Sequence, residues 1–319
     1  MPADSGPSKL WLPLPRSQDT PYQRALGVSW QSNAGAVELR NDPVYGAPML
    51  YAQWDANAIG THTLSVKTWA ATRDRVVDLT RPTPDTLDMG TRSLYLGATP
   101  HLPTDGIVRA TALKAVANAG TDPIAQARAL YEWIVVNTYR NPKTVGCGTG
   151  DIRFMLESGD LGGKCADLNS LFVGMARSIG IPARDMYGVR VTNSANWKCL
   201  GKPGDITKAQ HCRAEFHDAR FGWIPVDPAD VRKIILEEEP GRLLPLDDER
   251  VRLARETFFG AWEMNWIGFN TANDLVLSPP SAHPLNFFMY PRAETAAGPL
   301  DPYDPAEFRY SMRSRQLSA

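Results

Sequence analysis

Cys165, His211 and Asp227 are the residues on which this chain could build chemistry. A cysteine, a histidine and a carboxylate can supply a nucleophile, its base and the group that orients the base. Cys165 follows Gly162-Gly163-Lys164 and precedes an apolar stripe of Leu168, Leu171, Phe172, Met175, Ala176 and Ile179. That spacing predicts a helix that opens at Cys165 and stops at Gly180, with Pro182 barring continuation. Unpaired N–H groups and the macrodipole place partial positive charge at a helix N-terminus, which favours the thiolate, the reactive form of cysteine. The double glycine lets backbone come close and leaves room for a substrate. The N–H of Cys165 is then the natural first donor to a developing oxyanion; the sequence identifies no second.

The elements that must position the other two residues come later in the chain. His211-Cys212-Arg213-Ala214-Glu215-Phe216-His217 reads as a strand, residues 218–222 as a turn, and Trp223-Ile224-Pro225-Val226-Asp227 as the return strand, closed by Pro228. Residues directly opposite in an antiparallel hairpin point to the same face. His211 and Asp227 therefore share a face only if the numbers of paired residues add to an even value. The catalytic reading predicts that register, which sequence alone does not fix.

Three stretches resemble the transglutaminase-like superfamily. Gly163-Lys164-Cys165-Ala166-Asp167, followed by Ile181-Pro182-Ala183-Arg184, is similar to its nucleophile helix. His211-Cys212-Arg213-Ala214-Glu215-Phe216 resembles its His-x-x-x-Glu strand, and Gly222-Trp223-Ile224-Pro225-Val226-Asp227-Pro228 its Trp-x-Pro-Val-Asp-Pro strand. The order Cys, His, Asp agrees as well. The resemblance spans residues 106–235, and Arg213 stands where many members carry a tryptophan. It implies an α+β fold with a papain-like core, the nucleophile helix packed on an antiparallel sheet. It also implies thiol-dependent acyl transfer on peptide or carboxamide bonds, with a protein or peptide substrate. Hydrolysis, by a protease or amidase, is the favoured outcome. Transfer to an amine, as in a cross-linking transglutaminase, is the alternative, and a non-catalytic binding module on the same fold is a third reading.

Taken singly, these residues have plainer roles: a buried helix cysteine, an edge-strand histidine, a turn carboxylate before proline. The three motifs in order favour the chemical reading. Glu215 is expected to be an ion-pair partner of Arg184 or Arg213, and His217 and His283 to be surface or structural. Cys212, next to His211 on a strand, should face the core. Cys147 and Cys199 could pair as a disulfide in an exported protein. Four irregularly spaced cysteines form neither a disulfide scaffold nor a zinc motif. No calcium-binding loop is visible, and no cofactor is implied. The aromatic runs Trp262–Trp266 and Asn286–Tyr290 are expected to pack against the core, with a cleft-wall role as the lesser reading.

Residues 1–20, with Pro2, Pro7, Pro13 and Pro15, read as an extended arm. Residues 21–105 read as a β-rich region, 106–235 as the catalytic core and 236–319 as an extension packing on it. Strands are expected at Met49–Trp54 and Thr63–Trp69, and a helix opening at Thr121-Asp122-Pro123. A formal net charge of -1 lacks the basic excess that a nucleic-acid partner needs. No apolar run approaches the ~20 residues of a membrane span. The opening residues carry no signal-peptide pattern, so the chain is expected to be cytoplasmic, or periplasmic or secreted after loss of a leader. Oligomeric state has no sequence signature here.

Overall fold

The computed structural model describes residue 1, residues 6–201 and residues 203–317. The first part of the chain supplies strands β1 (Ser8–Pro13), β2 (Gln23–Ser32), β3 (Ala36–Asn41), β4 (Pro48–Trp54) and β5 (Leu64–Thr72). The middle supplies α1 (Pro123–Asn137), α2 (Cys165–Ser178), β6 (Ala183–Arg190), β7 (Gln210–Asp218), β8 (Gly222–Val226), α3 (Pro228–Glu237) and β9 (Trp266–Asn270). Strands β10 (Arg292–Thr295) and β11 (Gly298–Leu300) follow. The class is α+β, as the motifs implied.

The core is an antiparallel sheet in the order β8-β7-β6-β9, with α2 packed across β7 and β6. Every residue of α2 is buried. Its apolar stripe meets the sheet and α1. Its polar residues survive burial because each has an internal partner. Asp167 accepts the N–H groups of Thr149 and Gly150, Asn169 donates to the Cys212 carbonyl, Ser170 bonds Asp185, and Arg177 bonds the Ala183 carbonyl. Leu168, Leu171, Phe172 and Met175 are fully enclosed, so cutting any of them to alanine costs about 2–5 kcal/mol.

Helix α1 opens where its sequence directs. Asp122 accepts the Ala125 N–H at 3.1 Å, and Pro123 occupies the first turn. Ala127, Leu130, Tyr131, Ile134 and Val135 form its buried face.

The expectation of an extended arm over residues 1–20 that is no packed element is corrected at residues 8–13, while residues 2–5, with Pro2, lie outside the described residues. Ser8–Pro13 form β1, which lies between β10 and β4 in a five-stranded sheet ordered β11-β10-β1-β4-β3. Leu10 and Trp11 are buried, and Trp11 pairs with Tyr51 on one side and Arg292 on the other. The prolines misled because Pro13 ends the strand instead of breaking it. Strands β2 and β5 form a separate two-stranded ribbon. Beyond residue 235 the chain divides its contributions: β9 joins the core sheet, while β10 and β11 complete the sheet around β1. Among the described residues no helix is long and apolar enough to cross a membrane.

Candidate active site

The register of β7 and β8 decides whether His211 and Asp227 can meet. Ala214 pairs with Val226 and Phe216 with Ile224, so the paired numbers add to an even value. Extended one residue past β8, the same register sets Asp227 opposite Arg213, on the face that His211 shares. His211 Nε2 lies 2.8 Å from Asp227 Oδ2. Asp227 also caps a helix: it is the N-cap of α3, its Oδ1 accepts the Asp230 N–H at 3.0 Å, and Pro228 follows in the first turn. The capping role and the role behind the imidazole coexist, because a carboxylate has two oxygens.

Cys165 stands at the first position of α2, near enough to His211 for the imidazolium charge to act on the thiol. Burial opposes its ionisation. The contacts with Cys147, Cys212 and His211, and the charge on His211, outweigh burial and hold the thiol well below its ordinary value. Burial and Arg190 push His211 down, but Asp230 and Asp227 outweigh them and raise it. Both shifts favour a thiolate facing an imidazolium.

Several residues that complete this arrangement were missed in the sequence. Asn169 sits one helical turn after Cys165, the i+4 spacing that shares a helix face. Its amide donates to Asp227 Oδ1 at 3.1 Å and to the Cys212 carbonyl at 2.8 Å. Asp230, three residues into the helix that Asp227 caps, lies 3.5 Å from His211 Nε2 and forms a buried ion pair with Arg190. Burial opposes its charge, but Arg190 and His211 keep its carboxyl well below the usual range. Asp227, pushed up by burial and by the charge of Asp230, is the weaker acid of the two. Arg213, fully buried, lies with Nε 3.8 Å from Asp227 Oδ2 and stacks on Trp266 and Trp262. Burial and Arg190 lower its guanidinium to about 10. The Trp266 indole donates to the His211 carbonyl at 2.8 Å.

His211, Asp227 and Asp230 present ligand atoms within 4.8 Å of one another, the spacing of a cation site. Arg190 and Arg213 already lie against those carboxylates. Two guanidiniums balance two carboxylates, so the cluster is already neutral around an uncharged His211. A divalent cation would have to displace that balance.

The other expected roles resolve individually. Glu215 pairs with Arg184, Nε to Oε1 at 2.7 Å. His217 is buried and lies 3.4 Å from Asp85, and His283 is exposed. All four cysteines are free, so Cys147 and Cys199 are not paired. Cys212 is buried as expected, and its sulfur also contacts Cys165. Trp262 and Trp266 pack with Tyr22 and Met186. Tyr290 reaches further, donating its hydroxyl to Cys147 Sγ at 3.1 Å. Cys165 itself is only 4% exposed. A surface depression of about 390 Å³ opens next to Gly148 and Thr149, beside the loop that carries Cys147.

Asp167 explains the carboxylate in the Gly-Lys-Cys-Ala-Asp stretch. It binds the N–H groups of Lys164, Thr149 and Gly150, and so fastens the loop before Cys165 to the helix. A Cβ on Gly148 would fall 1.9 Å from the Asp167 carboxylate, and one on Gly163 2.5 Å from Asp167 Cβ.

Comparison with known proteins agrees with this architecture. The transglutaminase-like superfamily core domain matches residues 110–228. An uncharacterized protein of Haemophilus influenzae is 36% identical over 332 residues, covering 98% of this chain and 87% of that protein. A crystal structure of a candidate cysteine protease from Cytophaga hutchinsonii superposes with a TM-score of 0.51 at 17% identity, covering 96% of this chain and 89% of that one. That likeness concerns the fold. With the core match lying on the residues that frame Cys165, His211 and Asp227, the chain belongs to the transglutaminase-like superfamily.

Proposed function

We propose that the protein is a thiol-dependent acyl-transfer enzyme, hydrolytic in its usual outcome, with Cys165, His211 and Asp227 as its catalytic triad. One observation carries this reading: Cys165 heads a helix beside His211, whose charge acts on the thiol and whose Nε2 is held 2.8 Å from Asp227. Asp227 fixes the tautomer and supports the imidazolium. The Cys165 thiolate attacks the carbonyl carbon of a peptide or carboxamide. The tetrahedral oxyanion is met by the Cys165 N–H at the start of α2. His211 then protonates the departing amine or ammonia, leaving a thioester on Cys165. Water, deprotonated by His211, attacks the thioester and releases the acid.

With 4% of Cys165 exposed, the substrate needs neighbouring side chains to give way. The test is to incubate the intact protein with peptides and with glutamine-containing carboxamides. Release of fragments or ammonia would be measured beside incorporation of a labelled primary amine. Release that disappears in Cys165→Ala supports the hydrolytic reading. Amine incorporation in excess of release replaces it with amine transfer. Neither product, together with a Cys165 that resists alkylation at mildly acidic pH, ends the catalytic reading.

A further inference from the structure

The loop before α2 brings a second sulfur to the nucleophile. The Cys147 carbonyl accepts the N–H of Ala166, the residue after Cys165, at 2.9 Å. The Cys147 thiol donates to the carbonyl of Gln210, the residue before His211, at 3.3 Å. These two bonds fix Cys147 from both sides, between the head of α2 and the start of β7. Its sulfur lies near enough to Cys165 for each thiol to shift the other. Cys147 is 4% exposed, like Cys165, whereas Cys212 is 0% exposed. A small oxidant can therefore reach the first two more readily than the third. The proposed acyl transfer gives Cys147 no task.

We propose that Cys147 and Cys165 form a reversible oxidation site, in which Cys147 captures a peroxide-oxidised Cys165 as a disulfide. The inference rests on the reading of Cys165 as a reactive thiolate. In the first step the thiolate attacks one oxygen of hydrogen peroxide. An S–O bond forms, the O–O bond breaks, hydroxide leaves and Cys165 becomes a sulfenic acid. In the second step the Cys147 sulfur attacks the sulfenic sulfur. The S–S bond forms, the S–O bond breaks, and the hydroxide released takes the thiol proton as water. Overall two thiols and one peroxide give one disulfide and two waters.

The surroundings of Cys147 suit the second step. The hydrogen bond with Cys165, then burial, then the charge on Cys165 hold the Cys147 thiol well above its ordinary value. Two of those three causes vanish once Cys165 is no longer a thiolate. The Tyr290 hydroxyl, donating to the Cys147 sulfur at 3.1 Å, stabilises the thiolate that then attacks. Cys147 is thus quiet while Cys165 is reduced and becomes competent when Cys165 is oxidised. Without a partner thiol, sulfenic acid goes on to sulfinic acid, which thiol reductants do not reverse.

The experiment uses the full chain, first reduced and then treated with a few equivalents of hydrogen peroxide. Proteolysis and mass mapping without reductant should show peptides carrying Cys147 and Cys165 joined, with the loss of two hydrogens. Dithiothreitol should return Cys165 to iodoacetamide labelling. In Cys147→Ser, and in Cys147→Ala as a second variant, the same treatment should put Cys165 in the sulfinic state, beyond rescue by dithiothreitol. The wild-type map does not depend on how either variant folds. Sulfinic Cys165 in the wild type, or a bond from Cys165 to Cys212, overturns the inference while leaving the nucleophile intact. Failure of reduced Cys165 to label at all overturns both this inference and the proposed function.

Discussion

The side-chain amide of Asn169 donates to Asp227 Oδ1 at 3.1 Å, which ties the helix that begins at Cys165 to the carboxylate behind His211. The same amide holds the Cys212 carbonyl at 2.8 Å. Asn169→Ala leaves both acceptors short of a donor in a buried place, at a cost of about 1–3 kcal/mol. It also lets Asp227 turn away from the imidazole. Denaturant unfolding should report the loss of stability, and the alkylation rate of Cys165 at pH 6 should fall with it. An unchanged rate would show that Asn169 only braces the fold.

Asp227→Asn separates the two duties of that residue. Asparagine caps helices about as well as aspartate, so α3 should keep its start. The imidazole loses its charged partner and its enforced tautomer. Turnover, in whichever assay detects it, should drop on the order of 10²–10⁴-fold. Circular dichroism should show the helix content retained.

The lowered Cys165 and raised His211 set a pH window for the ion pair. Cys165 should react with iodoacetamide at pH 6 on the order of tenfold or more faster than the other cysteines. Cys147, Cys199 and Cys212 are all shifted upward. A rate for Cys165 that instead rises only near its ordinary value of 9.0 would contradict the thiolate–imidazolium pair.

Asp230→Asn should destabilise the protein by about 3–5 kcal/mol, because it leaves the buried Arg190 charge without its counterion. The acid limb has a definite sign. A carboxyl whose folded value lies below its ordinary 3.8 contributes stability above that pH, and the contribution is lost as pH falls towards the folded value. His211 acts oppositely. Its contribution is complete below its ordinary 6.5 and is lost as pH rises through the higher folded value. The gap in thermal unfolding between wild type and Asp230→Asn should narrow as pH falls from 4 to 2.

Gly148→Ala tests the loop that carries Cys147. Gly148 has φ +94°, where a side chain is strained, and an added Cβ would lie 1.9 Å from the Asp167 carboxylate. The variant should lose at least about 1 kcal/mol, and the link from Asp167 to Thr149 and Gly150 should loosen. Faster amide hydrogen exchange at residues 149 and 150 would register it.

The fold and the proposed triad were legible because each residue lies in a local pattern: glycines before a helical stripe, then two alternating runs around a turn. The register of β7 and β8 was legible only as a condition. What escaped notice depends on long-range contacts. Arg190 and Asp230 are 40 residues apart, and nothing local marks them as partners. Asn169 and Asp230 did leave a trace, at helical spacing from Cys165 and Asp227. Cys147 looked like a candidate for Cys199 because sequence cannot show which cysteines a glycine-rich loop brings together. β1 was misread because its prolines obscured a short buried strand whose partners lie at both ends of the chain.

That last arrangement has a consequence for the protein as it leaves the ribosome. β1 is synthesised well before β10, so one of its two edges stays open until β10 emerges. At 5–20 residues per second the delay is roughly 15–60 s. During that interval a strand carrying Leu10 and Trp11 offers unpaired backbone to any neighbour. A chaperone that shields extended apolar segments would be needed most in that interval, while the core sheet is still being made.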